Sequence, residues 1–333
     1  MENKLIDKSN MIEVLRNFPN MFEEAINLGD DITFPKEFVE NIAILGMGGS
    51  GFTGDLINTY LNELPMKIFV IKDYDLPNFI QKKSLVFAIS YSGNTEETIT
   101  AYRAAIRRGC RVVAISSGGK LEELSKMNKN PYIKVPKGVQ PRLAIPYLLV
   151  SILNVLSYSG IIDEQEETIK KLVSYLKRIS IEEEAKLIAK KLKNKVPIIY
   201  SSQRLFSIAE KWKTDINENA KTHAFYNVFP EFNHNEICAY ENNITDSHIK
   251  THLILITDKD DYLKIKDRIN VFKKLLNQYK VSFTELGLVG DNFLTRLIVG
   301  VWTGLFVSYY LALEYERDPT PVNIIEKFKK ELK

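Results

Sequence analysis

The chain has 333 residues, 45% of them hydrophobic, 26% charged and 11% aromatic, a composition that excludes a disordered or low-complexity protein and allows two cores of ordinary size. Its 45 basic and 42 acidic residues leave a net charge of +3 with no long block of one sign, so neither a nucleic-acid groove nor a membrane patch is expected and the partner is a small molecule. Cys110 and Cys238 form no CxxC pair, and MENKLIDKSN lacks the apolar centre of a signal peptide, which together fit a reducing cytoplasm.

In chain order, a helical leader over about residues 8–28 comes first. The apolar runs NIAILGM (41–47), KIFVIKD (67–73), SLVFAIS (84–90) and RVVAISS (111–117) follow, each ending in turn residues and a helical stretch, with PYIKVP (131–136) as a weaker fifth strand. A charged helical connection precedes a second cycle: VPIIYSS (196–202), HAFYNVF (223–229), HLILITD (252–258) and VSFTELG (281–287). Alternating strand and helix predicts an α/β fold, with doubly wound parallel sheets flanked by helices. The expected division is an N-terminal domain over 1–160, a helical connection over 161–195 and a C-terminal domain over 196–333. Two uncharged runs, 143–162 and 297–313, approach the length of a bilayer crossing. Their Ser, Thr, Asn, Tyr and Gly content favours buried helices at a domain or subunit contact.

Ligands of such sheets sit beyond the carboxyl ends of the strands, where GMGGSG and SYSGNT fall. Gly46, Gly48 and Gly51 spell GxGxxG, and Asp73 at the end of the next strand could hold a ribose hydroxyl, so a dinucleotide is one reading. The other is a phosphate monoester. Ser90, Ser92 and Thr95, with Ser50 from the neighbouring loop, put hydroxyl donors beside the free N–H groups of a helix beginning near Thr95. A plainer alternative is that Ser92 or Thr95 caps that helix, although capping needs one hydroxyl and the loop has three.

GMGGSG and SYSGNTEET resemble the phosphosugar-binding signature of the sugar isomerase (SIS) domain. Arg142 in PRLAIPY, Glu218 in DINENAK, His234 in EFNHNEI and the closing DPTPVNIIEKFKKELK extend the likeness, from about residue 40 onward, to the bifunctional phosphoglucose/phosphomannose isomerases. The resemblance implies tandem SIS domains and a cytoplasmic aldose–ketose isomerase of glycolysis and gluconeogenesis. It would interconvert glucose 6-phosphate, and mannose 6-phosphate, with fructose 6-phosphate through an enediolate. It also implies that Glu218 moves the proton, that His234 opens the sugar ring, and that Lys329 assists from the C-terminal segment. Arg142 and the Gly49 amide would face the enediolate oxygens. A homodimer with a shared active site follows, because the family's histidine comes from the neighbouring subunit.

Each residue also has an ordinary reading. Glu218 could be an exposed helical carboxylate, His234 a solvated loop histidine and Arg142 a surface arginine. Lys327, Lys329, Lys330 and Lys333 could form one solvated helix face. Glu231 and Glu236 flank His234 as rival bases, and Glu236 could instead favour the first turn of the next helix. His223, His248 and His252 lie in or beside strand patterns and read as structural. No HxH, HExxH or paired CxxC spacing implies a metal, and the proton transfer calls for no cofactor. Thr320, ahead of Lys329, has no assigned role. Two other classes remain open: a phosphosugar sensor without catalysis, which would lack the usual basic recognition helix, and a nicotinamide-dependent oxidoreductase using GMGGSG.

Overall fold

A computed structural model of the chain describes residues 5–241 and 250–332. His248 and Lys333 lie outside the described residues. The chain divides into two compact units, one formed by Arg16–Arg178 and the other by Ile179–Lys333 with the segment ending at Leu15.

The expected leader is two short helices, α1 (Met11–Arg16) and α2 (Phe18–Glu24). The break has a local cause, since Pro19 stands in the first turn of α2 and a proline there starts a helix but cannot continue one. The first unit then runs β1 (Asn41–Leu45), α3 (Gly48–Tyr60), β2 (Lys67–Ile71), β3 (Ser84–Ile89), α4 (Glu96–Arg107), β4 (Arg111–Ser116), α5 (Gly119–Asn128) and β5 (Tyr132–Lys134). The strands lie in the order β2-β1-β3-β4-β5, every pair parallel. Leu45 of β1 is opposite Ile71 on one side and Ala88 on the other, so the winding reverses between β1 and β3. Alternation sorts the strand side chains onto two covered faces. Ala43, Leu45, Val86, Ala88, Val112 and Ala114 share a core with Ala101, Tyr102 and Ala105 of α4 and Leu121 and Leu124 of α5, while Ile42, Ile44, Leu85 and Phe87 are equally buried on the opposite face. The helices α6 (Ile145–Tyr158) and α7 (Glu166–Leu176) complete the unit.

The second unit contains α8 (Glu182–Leu192), β6 (Val196–Ser202), α9 (Phe206–Asp215) with a π-helical turn over Ile216–Ala220, β7 (Phe225–Phe229), β8 (Thr251–Thr257), α10 (Leu263–Gln278), β9 (Phe283–Gly287), α11 (Phe293–Glu314) and α12 (Asn323–Glu331). Its parallel sheet has the order β7-β6-β8-β9, so the reversal falls between β6 and β8. Tyr200, Leu253 and Leu255 pack with Phe229, Phe232, Ile269 and Phe272. Both long apolar runs are core helices. In α11 the window apolar enough to cross a membrane is 89% buried, and α6 is buried from Ile145 to Leu156.

Candidate active site

The first crevice is built at the carboxyl ends of β1 and β3, where adjacent strands feed helices on opposite faces. Each strand leads into an uncapped helix. Met47 precedes α3 and Thr95 precedes α4, and neither supplies a side-chain cap. No side chain caps the first amides of either helix, although the Ser50 amide donates to the Met47 oxygen at 3.1 Å, and the positive ends of both dipoles meet the crevice. The capping alternative fails here because the Thr95 hydroxyl bonds Ser90 Oγ at 2.8 Å instead of an amide of its own helix.

The four hydroxyls are not equivalent. Ser90, 1% exposed, anchors the turn, accepting from the Thr95 amide at 3.3 Å. Ser50 is buried as well and joins the two loops, its Oγ accepting from the Tyr91 amide at 3.3 Å. Ser92 is exposed at the rim, and its Oγ accepts from the Asn94 amide at 3.3 Å, a local turn two residues long. Gly93, with φ of 73°, lets the loop pass the next one so closely that a methyl group there would lie 1.7 Å from the Gly118 oxygen. Asn94 completes that junction by accepting from the Lys120 amide at 3.0 Å.

Arg142 enters from the short turn Pro141–Leu143 and is 4% exposed. Its backbone rests on Gly49, where a methyl group would lie 2.5 Å from the Pro141 oxygen and 2.8 Å from the Arg142 Cα. Gly49, Ser50, Ser90, Ser92, Thr95 and Arg142 thus all belong to one continuous lining of the first unit.

Glu218, His234 and Lys329 belong to the second unit. Glu218 is half-buried in the π-turn Ile216–Ala220, an interruption of helical geometry often found at functional positions. Its neighbours are tied down, Asn217 Nδ2 donating to the Thr222 oxygen at 2.8 Å and Asn219 Nδ2 to Ser308 Oγ at 2.9 Å. His234 is exposed at the end of a single turn, Glu231–His234, that Phe232 anchors in the core, and Lys329 is exposed on α12. The rivals are placed differently. Glu231 accepts from Asn235 Nδ2 at 3.0 Å, whereas both Glu236 oxygens are engaged, one by Asn227 Nδ2 at 2.5 Å and the other by the Tyr200 hydroxyl. That tyrosine also bonds Tyr240 at 2.6 Å. Burial, the adjoining Tyr240 and the Glu236 carboxylate raise the Tyr200 hydroxyl far above the usual tyrosine range, and burial pushes Tyr240 up to about 12. His252 is structural, its ring between Ser282 Oγ at 2.7 Å and Thr284 Oγ1 at 2.9 Å. His223 is exposed just before β7.

The topologically matching crevice of the second unit, at the ends of β6 and β8, is filled by its own charges. Asp258, 0% exposed, accepts from Arg296 Nε at 2.5 Å and from Arg204 at 3.0 Å, and Arg296 reaches Asp260 as well. The Arg204 guanidinium lies 3.8 Å from the centre of the Phe293 ring, and Ser202 Oγ donates to Asp261 at 2.6 Å. Burial alone would raise the Asp258 carboxyl, but hydrogen bonds from Arg296, the Asp260 amide and Arg204 outweigh it and hold the group below the ordinary carboxylate value. Burial raises Asp261, and the Ser202 bond offsets it in part.

Sequence reasoning overlooked Lys221, which closes the π-turn with four contacts to backbone carbonyls. The usable signal was the asparagine-rich NENAK at the end of a helical pattern, because such stretches mark a helix terminus.

Residues 39–141 match the SIS domain family, and residues 181–332 match the bacterial phospho-glucose isomerase C-terminal SIS domain family. A bifunctional phosphoglucose/phosphomannose isomerase of Caldicellulosiruptor bescii is 36% identical over 97% of this chain and 98% of its own. One of Aquifex aeolicus is 37% identical over 96% of this chain and 98% of its own. Among solved structures, the C-terminal domain of glucosamine-fructose-6-phosphate aminotransferase from Francisella tularensis superposes with a TM-score of 0.72 at 15% identity, over 93% of this chain and 98% of that one, a likeness of fold. With two matched domains and near-full-length relatives above 30% identity, the chain belongs to the bifunctional phosphoglucose/phosphomannose isomerase family.

Proposed function

We propose that this protein is a cytoplasmic aldose–ketose isomerase that interconverts glucose 6-phosphate, and mannose 6-phosphate, with fructose 6-phosphate. The observation that carries the substrate class is the pair of uncapped helix N-termini, α3 and α4, side by side with Ser50, Ser90, Ser92 and Thr95. A phosphoryl group takes many short donors and is favoured by two helix dipoles, so a lysine is not needed. Of the four hydroxyls, Ser92 and Thr95 would meet the phosphoryl oxygens, and the deeper Ser50 and Ser90 hold the loops in shape.

The reaction moves one proton between C1 and C2 and leaves negative charge on an enediolate. Arg142 beside the Gly49 backbone suits that charge, since a guanidinium and an amide form a small preorganised oxyanion site. Glu218 is the proton carrier, and Glu236 is a weaker rival because both its oxygens already accept hydrogen bonds. His234 opens the pyranose ring, as an imidazole can both give and take a proton, and Lys329 assists from α12. The active form is a homodimer in which His234 serves the neighbouring subunit's site. An exposed histidine is consistent with that role.

Coupled assays on mannose 6-phosphate and glucose 6-phosphate, with chelator present, test the activity directly. Conversion of neither sugar would defeat the proposal, as would a melting shift with NADH and none with fructose 6-phosphate. Glu218→Gln should lower turnover by roughly 10³-fold while sugar-phosphate binding persists, in line with the contribution of general acid–base catalysis. Near-normal turnover would pass the role to Glu231.

A further inference from the structure

Lys221 follows the turn that carries Glu218 and adopts a left-handed backbone, φ 54°, which doubles its side chain back over the end of its own helix. The ammonium donates to the Glu218 oxygen at 2.8 Å and the Asn219 oxygen at 3.1 Å, carbonyls that a helix terminus leaves without internal donors. The same ammonium donates to the Asp318 oxygen at 2.9 Å and the Pro319 oxygen at 3.1 Å, in the loop between α11 and α12. Arg317 returns the contact, its Nη1 donating to the Lys221 oxygen at 2.8 Å. An ammonium has three protons, so four convergent carbonyls share them, and no donor is left over for solvent. Within the loop, Asp318 Oδ1 accepts from the Thr320 amide at 3.0 Å, which gives the clasp a defined surface to grip.

We infer that Lys221 is a positioning residue for the isomerisation, locking the Glu218 turn to the Asp318–Thr320 loop so that the carboxylate and the root of α12 are fixed from one point. The inference rests on Glu218 being the proton carrier. Neither a surface cation nor a general helix cap accounts for the arrangement. A cap needs only the carbonyls of its own helix, and here half of the acceptors come from residues about a hundred positions later in the chain.

A double-mutant cycle on the full-length protein tests it. Turnover and KM for fructose 6-phosphate are measured for Lys221→Met, Glu218→Gln and the double variant, together with binding of glucitol 6-phosphate, an open-chain sugar phosphate without a carbonyl. Lys221→Met should lower kcat by roughly 30-fold while glucitol 6-phosphate affinity stays within about twofold, because displacing a reacting group by a fraction of an ångström is enough to lose such a factor. In the Glu218→Gln background the same change should cost less than about threefold, since a residue acting through another has nothing left to position. An inactive Glu218→Gln with an additive loss in the double variant, or with unchanged kcat in Lys221→Met, overturns the role of Lys221 and leaves Glu218 standing. An active Glu218→Gln overturns the assignment beneath it. If Lys221→Met does not fold, Lys221→Arg decides. Its planar fork keeps the charge but cannot converge on four carbonyls, so kcat should fall about fivefold with the probe affinity intact, and wild-type kcat would refute the inference.

Discussion

The ends of β1 and β3 and the ends of β6 and β8 are the same topological place in two sheets of the same winding, and the chain treats them in opposite ways. In the first unit the crevice is lined by hydroxyls and by amides that start two uncapped helices. In the second, Asp258 is held by Arg204 and Arg296, and Arg296 pairs with Asp260 as well. A helix N-terminus without a side-chain cap invites an anion from solvent, whereas guanidinium groups already paired with the protein's own carboxylates do so less. Duplicating a fold therefore does not duplicate a site, because the winding supplies the crevice and the side chains decide whether it is open.

The strongest way to break this contrast is Asp258→Ala. It would remove the buried carboxylate shared by Arg204 and Arg296 and leave Arg296 only the more exposed Asp260, so stability should fall by about 3 kcal/mol, read by urea denaturation, while KM for fructose 6-phosphate stays unchanged. A raised KM with stability intact would make the second crevice a ligand site after all.

A pH-dependent effect should appear at the opposite end of the same sheet. Burial, reinforced by the Lys195 and Lys191 ammonium groups, lowers His252 to about 4, so the folded protein holds it neutral where the unfolded chain would protonate it. Stability is then complete above the unfolded value near 6.5 and is lost as pH falls through the window down to about 4, a loss on the order of 3 kcal/mol. His252→Gln should flatten the pH dependence in that window, and an identical slope in both proteins would remove the histidine as its source.

The mildest change sharpens the first crevice. Ser92→Ala should raise KM by an amount worth about 1 kcal/mol, one hydrogen bond to a charged group, with little change in kcat. Because Ser92 stands at the rim and its hydroxyl accepts from the Asn94 amide at a long 3.3 Å, stability should hardly move. An unchanged KM with lower stability would mean that the hydroxyl serves the turn alone.

The strands among the described residues were legible as apolar runs, most clearly the central β1, β3, β4 and β8, which are covered on both faces, whereas the edge strands β5, β7 and β9 are partly exposed and carry polar residues. The glycine- and hydroxyl-rich loops were equally visible, since turn residues punctuate such runs. Other features were hidden. Nothing in the order Asp-Ile-Asn-Glu-Asn-Ala-Lys separates a continuing α-helix from the π-turn Ile216–Ala220, as the turn is held by Ser308 Oγ accepting from the Asn219 side chain and by Lys221 bridging its end to the Asp318 oxygen, both about 90 or more residues away in the chain. The ion pair of Asp258 was not legible either, because its partner Arg296 is 38 residues further along the chain. The rivalry between capping and ligand binding at Thr95 was also undecidable along the chain, since a hydroxyl next to a helix can bond its own amides or a neighbour's oxygen, and here it bonds Ser90 Oγ at 2.8 Å.

Local order in the chain sufficed for the α/β alternation, the position of the crevice and the kinship of the motifs, because each rests on periodicity or on residues within one turn of each other. Which hydroxyl stays open, which carboxylate is already bonded and which lysine grips a distant loop came from the folded coordinates alone. A polar group's role is set by the partner that satisfies it, and burial lets that partner come from anywhere in the chain.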